Sequence, residues 1–597
     1  MTNTQVCGGV MTALCLAAAP LRAQPPAPPP LHETVVVTGT ATPESIGNVG
    51  RAVTVLTRDD LARLPVTSVA DVLRLIASVD VRERGPRGVQ ADFSVRGAGF
   101  GQVLVLVDGT RLNDAQSGHH NGDLPVAVED IERVEVLLGA GAALHGADAV
   151  GGTINVITRR SAARTALHLA AGQHGLVEAG ATVGIERAAR GAHVVSGELL
   201  RASGFMPVRD HDVRLIRYQA HLGGTTALSA AHLDKAFGAD GFYGPAPSRE
   251  WTEQTLARLE HRVEGPGGWQ VRADASYRRH GDRFLYDERT PALSDNRHRT
   301  QAVTGHLRAS RAFGSATQLS LGAGGGGDWI RSSNLGDHTF GRGSVFAEAR
   351  QALGSRVLVH PGVRVDAYRR FGTAWSPALS VSGWGSRQLR WRASAGRAFR
   401  VPTFTELYYS DPNHLASDAL APETAWSVDG GSDLFAGRWT AGVTAFRRWE
   451  HHVIDWVRAS PLDRWRTTNV RSVGTYGIET SLRRRLPDGA QLGVEYAWLS
   501  SDAPALDLLS KYVLDYARHA LAASASAEWI GLRLGTRIET KRRSDNRAHA
   551  AVDVRVARRF GRVDIYVEAS NLFDQRYEEI RGVVMPGRWV KAGVRIR

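Results

Sequence analysis

Two adjacent histidines, His119 and His120, stand in the polar run "NDAQSGHHN" and invite a metal ion. Neighbouring side chains on an extended segment point to opposite faces, so the pair makes a poor chelate without help from elsewhere. A further candidate, His414, lies between "FRVP" at Phe399–Pro402 and "LAPE" at Leu420–Glu423. The stretch "LLGAGAALHG" imitates a dinucleotide loop through Gly139 and Gly141, but Leu144 stands at the third glycine position and a βαβ context is missing. HExxH, CxxC and GxSxG do not occur, and the scattered carboxylates and serines fall into no spacing that demands acid–base or nucleophilic chemistry. Neither an enzyme nor a resident metal or cofactor is expected; binding or transport is.

The elements around these residues divide the chain in two. All 14 tryptophans lie between Trp251 and Trp589 and the first tyrosine is Tyr218, so the early third holds neither type. Trp and Tyr gather where an apolar surface meets water, as in the girdles of a membrane barrel. The later region alternates with period two. Val271, Ala273, Ala275 and Tyr277 share one face, with Arg272, Asp274, Ser276 and Arg278 on the other. Val552, Val554 and Val556 run to a turn at Phe560-Gly561, and Val563, Ile565, Val567 and Ala569 return. Leu492, Val494, Tyr496 and Trp498 follow the turn Pro487-Asp488-Gly489. From about residue 165 to the end this gives roughly twenty-two antiparallel segments. An arginine facing mid-bilayer costs about 2–4 kcal/mol, so in a barrel the charged face must be the lumen.

Residues 45 to 160 read as a small α+β unit. "TRDDLARL" starts on Thr57 with Asp60, and "SVADVLRLI" on Ser68 with Asp71, both in capping-box spacing. Short apolar runs, "RAVTVL", "VLVLVDG", "RVEVLLG" and "TINVIT", suit a few-stranded mixed sheet. Ahead of it, residues 1–23 have the apolar stretch and small residues of a secretory leader, although Met1 to Gly9 carries no Lys or Arg. Both cysteines, Cys7 and Cys15, fall within it, so the mature chain would carry no thiol. Residues 24–44 hold "QPPAPPP" and then "HETVVVTGT", a bare strand behind a stiff spacer that could pair with a partner. The net charge of +13 is spread along the chain as scattered arginines with only four lysines, which suits an anionic surface or lumen and not a nucleic-acid arm.

Taken in order, "SVADVLRLIASVDV", "FSVRGAGFGQVLVLVDGTRLND", "VEDIERVEVLLGAGAALHGADAVGGTINVIT", "GRAFRVPTFTELYYSDPNHLASDALAPETAW" and "ASNLFDQRYEEI" resemble a TonB-dependent outer-membrane receptor over essentially the whole mature chain. The resemblance implies an all-β transmembrane barrel of about 22 antiparallel strands, residues 161–597, with an N-terminal α+β plug domain, residues 45–160, in its lumen. It implies a bacterial outer-membrane location, a single barrel surrounded by lipid, and uptake of a scarce bulky ligand, with no nucleic-acid partner. Glu33, Thr34, Val35, Val36, Val37, Thr38 and Gly39 are similar to the TonB box, which hangs into the periplasm and pairs with TonB and its inner-membrane energising complex. The plug is most similar to those of corrinoid receptors, which favours a vitamin B12-like ligand over a ferric siderophore, with haem or another metal chelate as an alternative.

By motif, ligand is expected at two apical plug loops. One is Gly97, Ala98, Gly99, Phe100, Gly101 and Gln102; the other supplies Asn113, Asp114, Gln116, Ser117, His119, His120 and Asn121. A passive porin or surface adhesin with a vestigial plug is the competing function. One departure from the family pattern is the C-terminus, where "RWVKAGVRIR" ends without an aromatic residue, although Val590, Ala592, Val594 and Ile596 keep one apolar face.

Overall fold

The computed structural model describes residues 35–596, apart from residues 88, 161–164, 188–190, 487–488, 503–507 and 514. The expected leader and residues 24–34, with Glu33 and Thr34, lie outside the described residues.

The front globule forms around β1 (Ala52–Thr57), β2 (Val79–Gly85), β3 (Gln90–Val95), β4 (Val103–Val107), β5 (Thr110–Arg111), β6 (Ile131–Leu138) and β7 (Gly152–Thr158). Five of them make one mixed sheet in the order β1-β6-β7-β4-β5, with β4 and β7 parallel, and β2 pairs with β3 as a separate hairpin. The run Val103–Val107 is buried on both faces, which is what an unbroken apolar strand in a parallel pair requires. Helix α1 (Arg58–Leu61) starts on the expected capping box, Thr57 with Asp60. At α2 (Val69–Leu73) half of the motif forms: Ser68 accepts from the Asp71 N–H, but the Asp71 carboxylate turns back to the Thr67 N–H and hydroxyl. Leu73, Ile76, Val79, Val134, Val136, Ile154 and Val156 form the apolar core between helices and sheet.

Beyond the globule, 22 long antiparallel strands run from Ala166–Gly172 to Trp589–Ile596 and close into a barrel, each paired with its sequence neighbour. Closure is by Leu167 opposite Ile596. Period two decides which side chains meet lipid. Ala273 and Ala275 face out while Arg278 and His280 are buried; Ile565 and Val567 face out while Asp564 and Glu568 are buried. The charged face is therefore the lumen, as the cost of an arginine in hydrocarbon demands. Connections at one end are tight, such as 437–438, 530–531 and 561–562; at the other end they reach 401–422 and 571–588. Short turns mark the periplasmic end of such barrels and longer loops the outer end. Apolar-face aromatics ring both ends, with Trp375, Trp426 and Trp449 toward the loops and Trp439, Trp529 and Phe560 toward the turns.

The globule sits inside this barrel, and the seam between them combines many ion pairs with small apolar patches around Ala77, Val89, Ala127 and Ala147. Arg74 reaches Glu539 at 2.7 Å and Glu579 at 2.6 Å on the barrel side, and its own neighbour Glu83 at 3.1 Å. Asp71 meets Arg537 at 3.0 Å, Asp80 meets Arg543 at 3.0 Å and Lys541 at 3.2 Å, and Arg96 makes a two-pronged contact with Glu479 at 2.8 and 2.7 Å. Among the described residues, Leu256 is the one barrel side chain within the main core of the globule.

Candidate functional site

Facing the long loops, the tip of the globule is built by two turns. The first follows β3: Gly97 takes φ +69°, and Phe100 opens a short 3-10 turn that Gln102 closes by accepting from the Gly99 N–H at 2.8 Å. The second, residues 113–121, is held from within, since Asn113 accepts from the Val105 N–H at 2.8 Å and Asn121 accepts from the Asp114 N–H at 3.0 Å. The two turns meet where Phe100 stacks on His119 with centroids 4.3 Å apart. Gly118 permits this packing, because a Cβ there would stand 2.7 Å from the Phe100 ring.

The expected ligand residues separate into two groups. Gly97, Gly99, Phe100, Gly101, Ser117 and His119 are partly exposed at the tip. Ala98, Gln102, Asn113, Asp114, Gln116, His120 and Asn121 are buried, and the polar side chains among them are committed to the scaffold or the barrel wall. Gln102 donates to Glu423 at 2.8 Å and Glu450 at 2.9 Å; Gln116 donates to Asp282 at 2.7 Å; Asp114 accepts from Arg278 at 2.6 Å and Thr300 at 2.7 Å. These contacts join residues more than a hundred positions apart, so no local pattern announces them.

The histidine pair splits, but not by strand alternation: both residues lie in a 3-10 turn, Gly118–Gly122, whose successive side chains diverge around its axis. His119 turns to Phe100 and bonds Asp92 at 2.9 Å, while His120 turns inward to His280 and Asp282. Donor atoms of His120, Asp123 and His280 lie within 4.8 Å of one another. Their charge is already met: Lys235 contacts Asp123, and Arg278 contacts Asp114. Burial would push the His120 imidazole down, but Asp282, Asp114 and Asp123 around it push it up to about 9, so it carries a proton at neutral pH. Lys235 and Arg278 thus place fixed positive charge beside this cluster. His414 is committed likewise, with Asp411 at 3.0 Å on Nδ1 and Lys511 at 3.1 Å on Nε2.

The barrel wall adds parts that the motifs did not expose. The loop 401–422 carries α3 (Phe404–Tyr408), started by a Thr403–Glu406 capping box, whose first N–H groups donate to the Ala115 and Gln116 carbonyls at 2.8 and 3.0 Å. An outer loop is thereby docked directly on the second apical turn. Arg400 anchors it through Glu406 and Glu423 at 2.8 Å each. Beside it a small, narrow crevice opens between Gly101 and Gly118 of the tip and Tyr368 and Thr403 of the wall. Tyr512 meets Phe100 edge-on at 5.3 Å, Tyr408 stacks on His338 at 3.6 Å, and Lys511 and Arg458 lie over the Trp465 ring. The mouth is therefore aromatic with basic edges.

At the opposite end, Val35–Gly39 is folded in and does not hang free. Val35–Val36 pairs with Glu44–Ser45, and Val36 packs with Val49 and Val55. The Glu135 carboxylate on β6 accepts from the Val37 and Thr38 N–H groups at 2.9 Å and from the Thr38 hydroxyl at 2.6 Å. His145, whose imidazole burial pushes down to about 4, stays neutral and bonds the Thr38 carbonyl at 2.9 Å. The unpaired backbone that the sequence suggested has found partners inside the fold.

A closed strand barrel with a globule in its bore and a tethered strand at the turn-lined end defines a gated outer-membrane receptor. The family models agree: TonB-dependent Receptor Plug Domain matches residues 45–153, and TonB dependent receptor-like, beta-barrel matches residues 207–572. The chain belongs to the TonB-dependent receptor family and resides in the outer membrane. Among its relatives are two proteins named Vitamin B12 transporter BtuB from Vibrio vulnificus. The one from strain CMCP6 is 27% identical over 471 residues, 74% of this chain and 73% of that protein; the one from strain YJ016 is 24% identical over 504 residues, 75% of each. Solved structures of similar fold include a point mutant of the ferric enterobactin receptor PfeA from Pseudomonas aeruginosa in complex with enterobactin, at TM-score 0.74 and 17% identity over 92% of this chain and 99% of that one. The siderophore receptor PirA from Acinetobacter baumannii gives TM-score 0.75 and 15% identity over 92% and 98%.

Proposed function

We propose that the chain is an energised importer of a corrinoid of the vitamin B12 type. The observation that carries this is the closed bore, filled by a globule whose tip presents Phe100 and His119 to the outer mouth; the name of the relatives that align over three quarters of the chain supplies the ligand class. A ferric siderophore is the second reading, favoured by the cation-over-aromatic edges at Trp465 and Tyr512, which suit an anionic chelate. Gly97, Gly99, Phe100, Gly101, Ser117 and His119 are the plug contacts, with Tyr512 and Tyr408 from the wall; a chemical step is not part of this reading.

Energy arrives through residues 33–39, which TonB takes up as an added strand. Since Val37 and Thr38 are already bonded to Glu135, the segment must first leave that pocket. Ligand at the tip and traction at the far end act on one sheet, because β6 carries Glu135 and pairs with β7, which in turn pairs with β4 below the apical turns.

Two measurements test the proposal. Titration of purified receptor with cyanocobalamin and with ferric catecholate chelates assigns the ligand; binding of neither overturns both readings. Val36→Pro removes a backbone donor from the strand. It is expected to abolish uptake while leaving surface binding intact, and unchanged uptake would establish a passive pore.

A further inference from the structure

Outward arginines stand at both ends of the barrel. Toward the loops several are paired with acids: Arg201 and Arg214 share Asp212, Arg283 and Arg297 share Asp295, and Arg279 meets Glu253 at 2.6 Å, although Arg299 and Arg331 face each other there without one. Toward the turns, three outward arginines lie over outward aromatic rings and have no acidic partner among the described residues. Arg311 lies 4.9 Å from the Phe313 centroid, Arg484 4.6 Å from Trp439, and Arg558 5.2 Å from Phe560. Trp439 and Arg484 are direct cross-strand partners, and Trp269 meets Phe313 edge-on, so the rings form part of the lower girdle. Exposed Arg387, Arg438 and Arg485 add to the same rim. Among the described residues none of these six has a carboxylate within salt-bridge distance, although Arg483 and Arg559 beside them meet Glu495 at 2.8 Å and Asp564 at 2.9 Å; exposed acids at this end include Glu186, Glu264 and Glu528.

We infer that this rim binds the headgroups of anionic glycerophospholipids in the periplasm-facing leaflet. The aromatic rings fix the level at which hydrocarbon gives way to headgroups. A guanidinium held flat against such a ring keeps its N–H fork at that level, where it matches a phosphate with two parallel hydrogen bonds. The unmet positive charge is what an anionic lipid supplies and a zwitterionic one does not. Arg201, Arg214, Arg283 and Arg297 on the loop side, already neutralised by Asp212 and Asp295, carry no such demand. The surface faces lipid because Phe313, Trp439 and Phe560 lie on the same outward face as the apolar residues of their strands.

The test uses the full-length receptor in nanodiscs of phosphatidylethanolamine with a minor share of phosphatidylglycerol. Lipids retained after detergent extraction are counted by native mass spectrometry. Wild-type receptor should retain phosphatidylglycerol well above its share. Arg311→Gln, Arg484→Gln and Arg558→Gln combined should remove the enrichment, by roughly fivefold per arginine at the ~1 kcal/mol that a basic residue contributes near an anionic surface. The corresponding lysine triple keeps charge without the planar fork and should fall between. Arg201→Gln with Arg214→Gln should change nothing, and the heat-dependent gel shift of the barrel reports that each variant is folded. Equal retention of both lipids by wild type, or enrichment that survives the glutamine triple, overturns the inference. Displacement of the lipid by millimolar inorganic phosphate overturns it too, since the rim would then be a free-anion site.

Discussion

The interior of the globule and its outer surface are built on opposite principles. Inside, Leu73, Ile76, Val134 and Val156 exclude water from a continuous apolar core. Outside, where the globule meets the barrel, small apolar patches such as Ala77 against Ala497 and Val89 against Phe237 are interspersed with ion pairs of Arg74, Asp71, Asp80, Arg96 and Asp114 to charged partners on the wall. An apolar seam would resist opening, because separating it exposes hydrocarbon to water at about 25 cal/mol per Å². Ion pairs along a seam can exchange partners for water as they part, at a much smaller net cost. The lesson is that the globule can stay folded while its attachment to the wall changes, which is what a gate needs.

The largest expected break in this contrast is Arg74→Ala. It leaves Glu83, Glu539 and Glu579 together without their shared cation, and removing one partner of a buried ionic group costs about 3–5 kcal/mol. Hydrogen exchange should rise along β2 and the seam while the β4–β7 ladder stays protected; loss of protection throughout the sheet would show that core and seam are one unit. Leu73→Ala attacks the other side of the comparison. Fully buried in the core, it should cost about 3 kcal/mol and loosen α2 and the sheet together, with the gel shift of the barrel unchanged.

Acidity separates the two as well. Burial alone would push the Asp71 carboxyl up, but Arg537, Thr67 and Arg74 hold it down at about 2, and the Asp80, Asp114 and Asp123 carboxyls are likewise held well below the usual range by their cations. A depressed carboxylate stabilises the docked state fully above its unfolded value, near 3.9, and that stability disappears as pH falls through the folded value. Seam exchange should therefore accelerate between about pH 4 and pH 2. His120 has the reverse sign: raised to about 9, it stabilises fully below its unfolded value near 6.5 and the contribution is lost as pH climbs through 9. Exchange of residues 113–121 measured from pH 7 to pH 10 should show this, and His120→Gln should flatten the profile. The smallest effect is Phe100→Ala, which leaves core and seam alone and should weaken ligand binding about tenfold by isothermal titration, as expected for an aromatic contact of one or two kcal/mol.

Much of this architecture is legible in the residues because lipid imposes a strict code. Val552, Val554 and Val556 must share a face if the opposite face carries Asp553 and Arg555, so strand, register and orientation follow together. The Thr57–Asp60 cap is equally local and forms as its spacing requires. Less visible is the difference between a polar residue that greets a ligand and one that is used up within the fold. Gln102, Asp114 and Gln116 are polar loop residues just as Ser117 and His119 are, and only Glu423, Arg278 and Asp282 on the distant wall decide their fate. The same holds for Thr38, whose partner Glu135 lies across the sheet and nearly a hundred positions away. Nothing near "FRVPTFTELYY" tells that α3 will offer its N-terminus to the carbonyls of Ala115 and Gln116.

Strand β1 is the first sheet element after the tethered segment, and it lies at an edge, joined to β6 alone through the six rungs from Ala52–Leu138 to Thr57–Arg133. Between the tethered segment and β1, residues 41–51 are pinned to the wall as well, through Glu44 with Arg350 at 2.9 Å and the Ala41 N–H with Glu348 at 2.7 Å. Once those contacts part, a load from the N-terminal side meets a single ladder before anything else in the sheet, which makes β1 a fuse: the strand placed to peel away while β6, β7, β4 and β5 remain laminated.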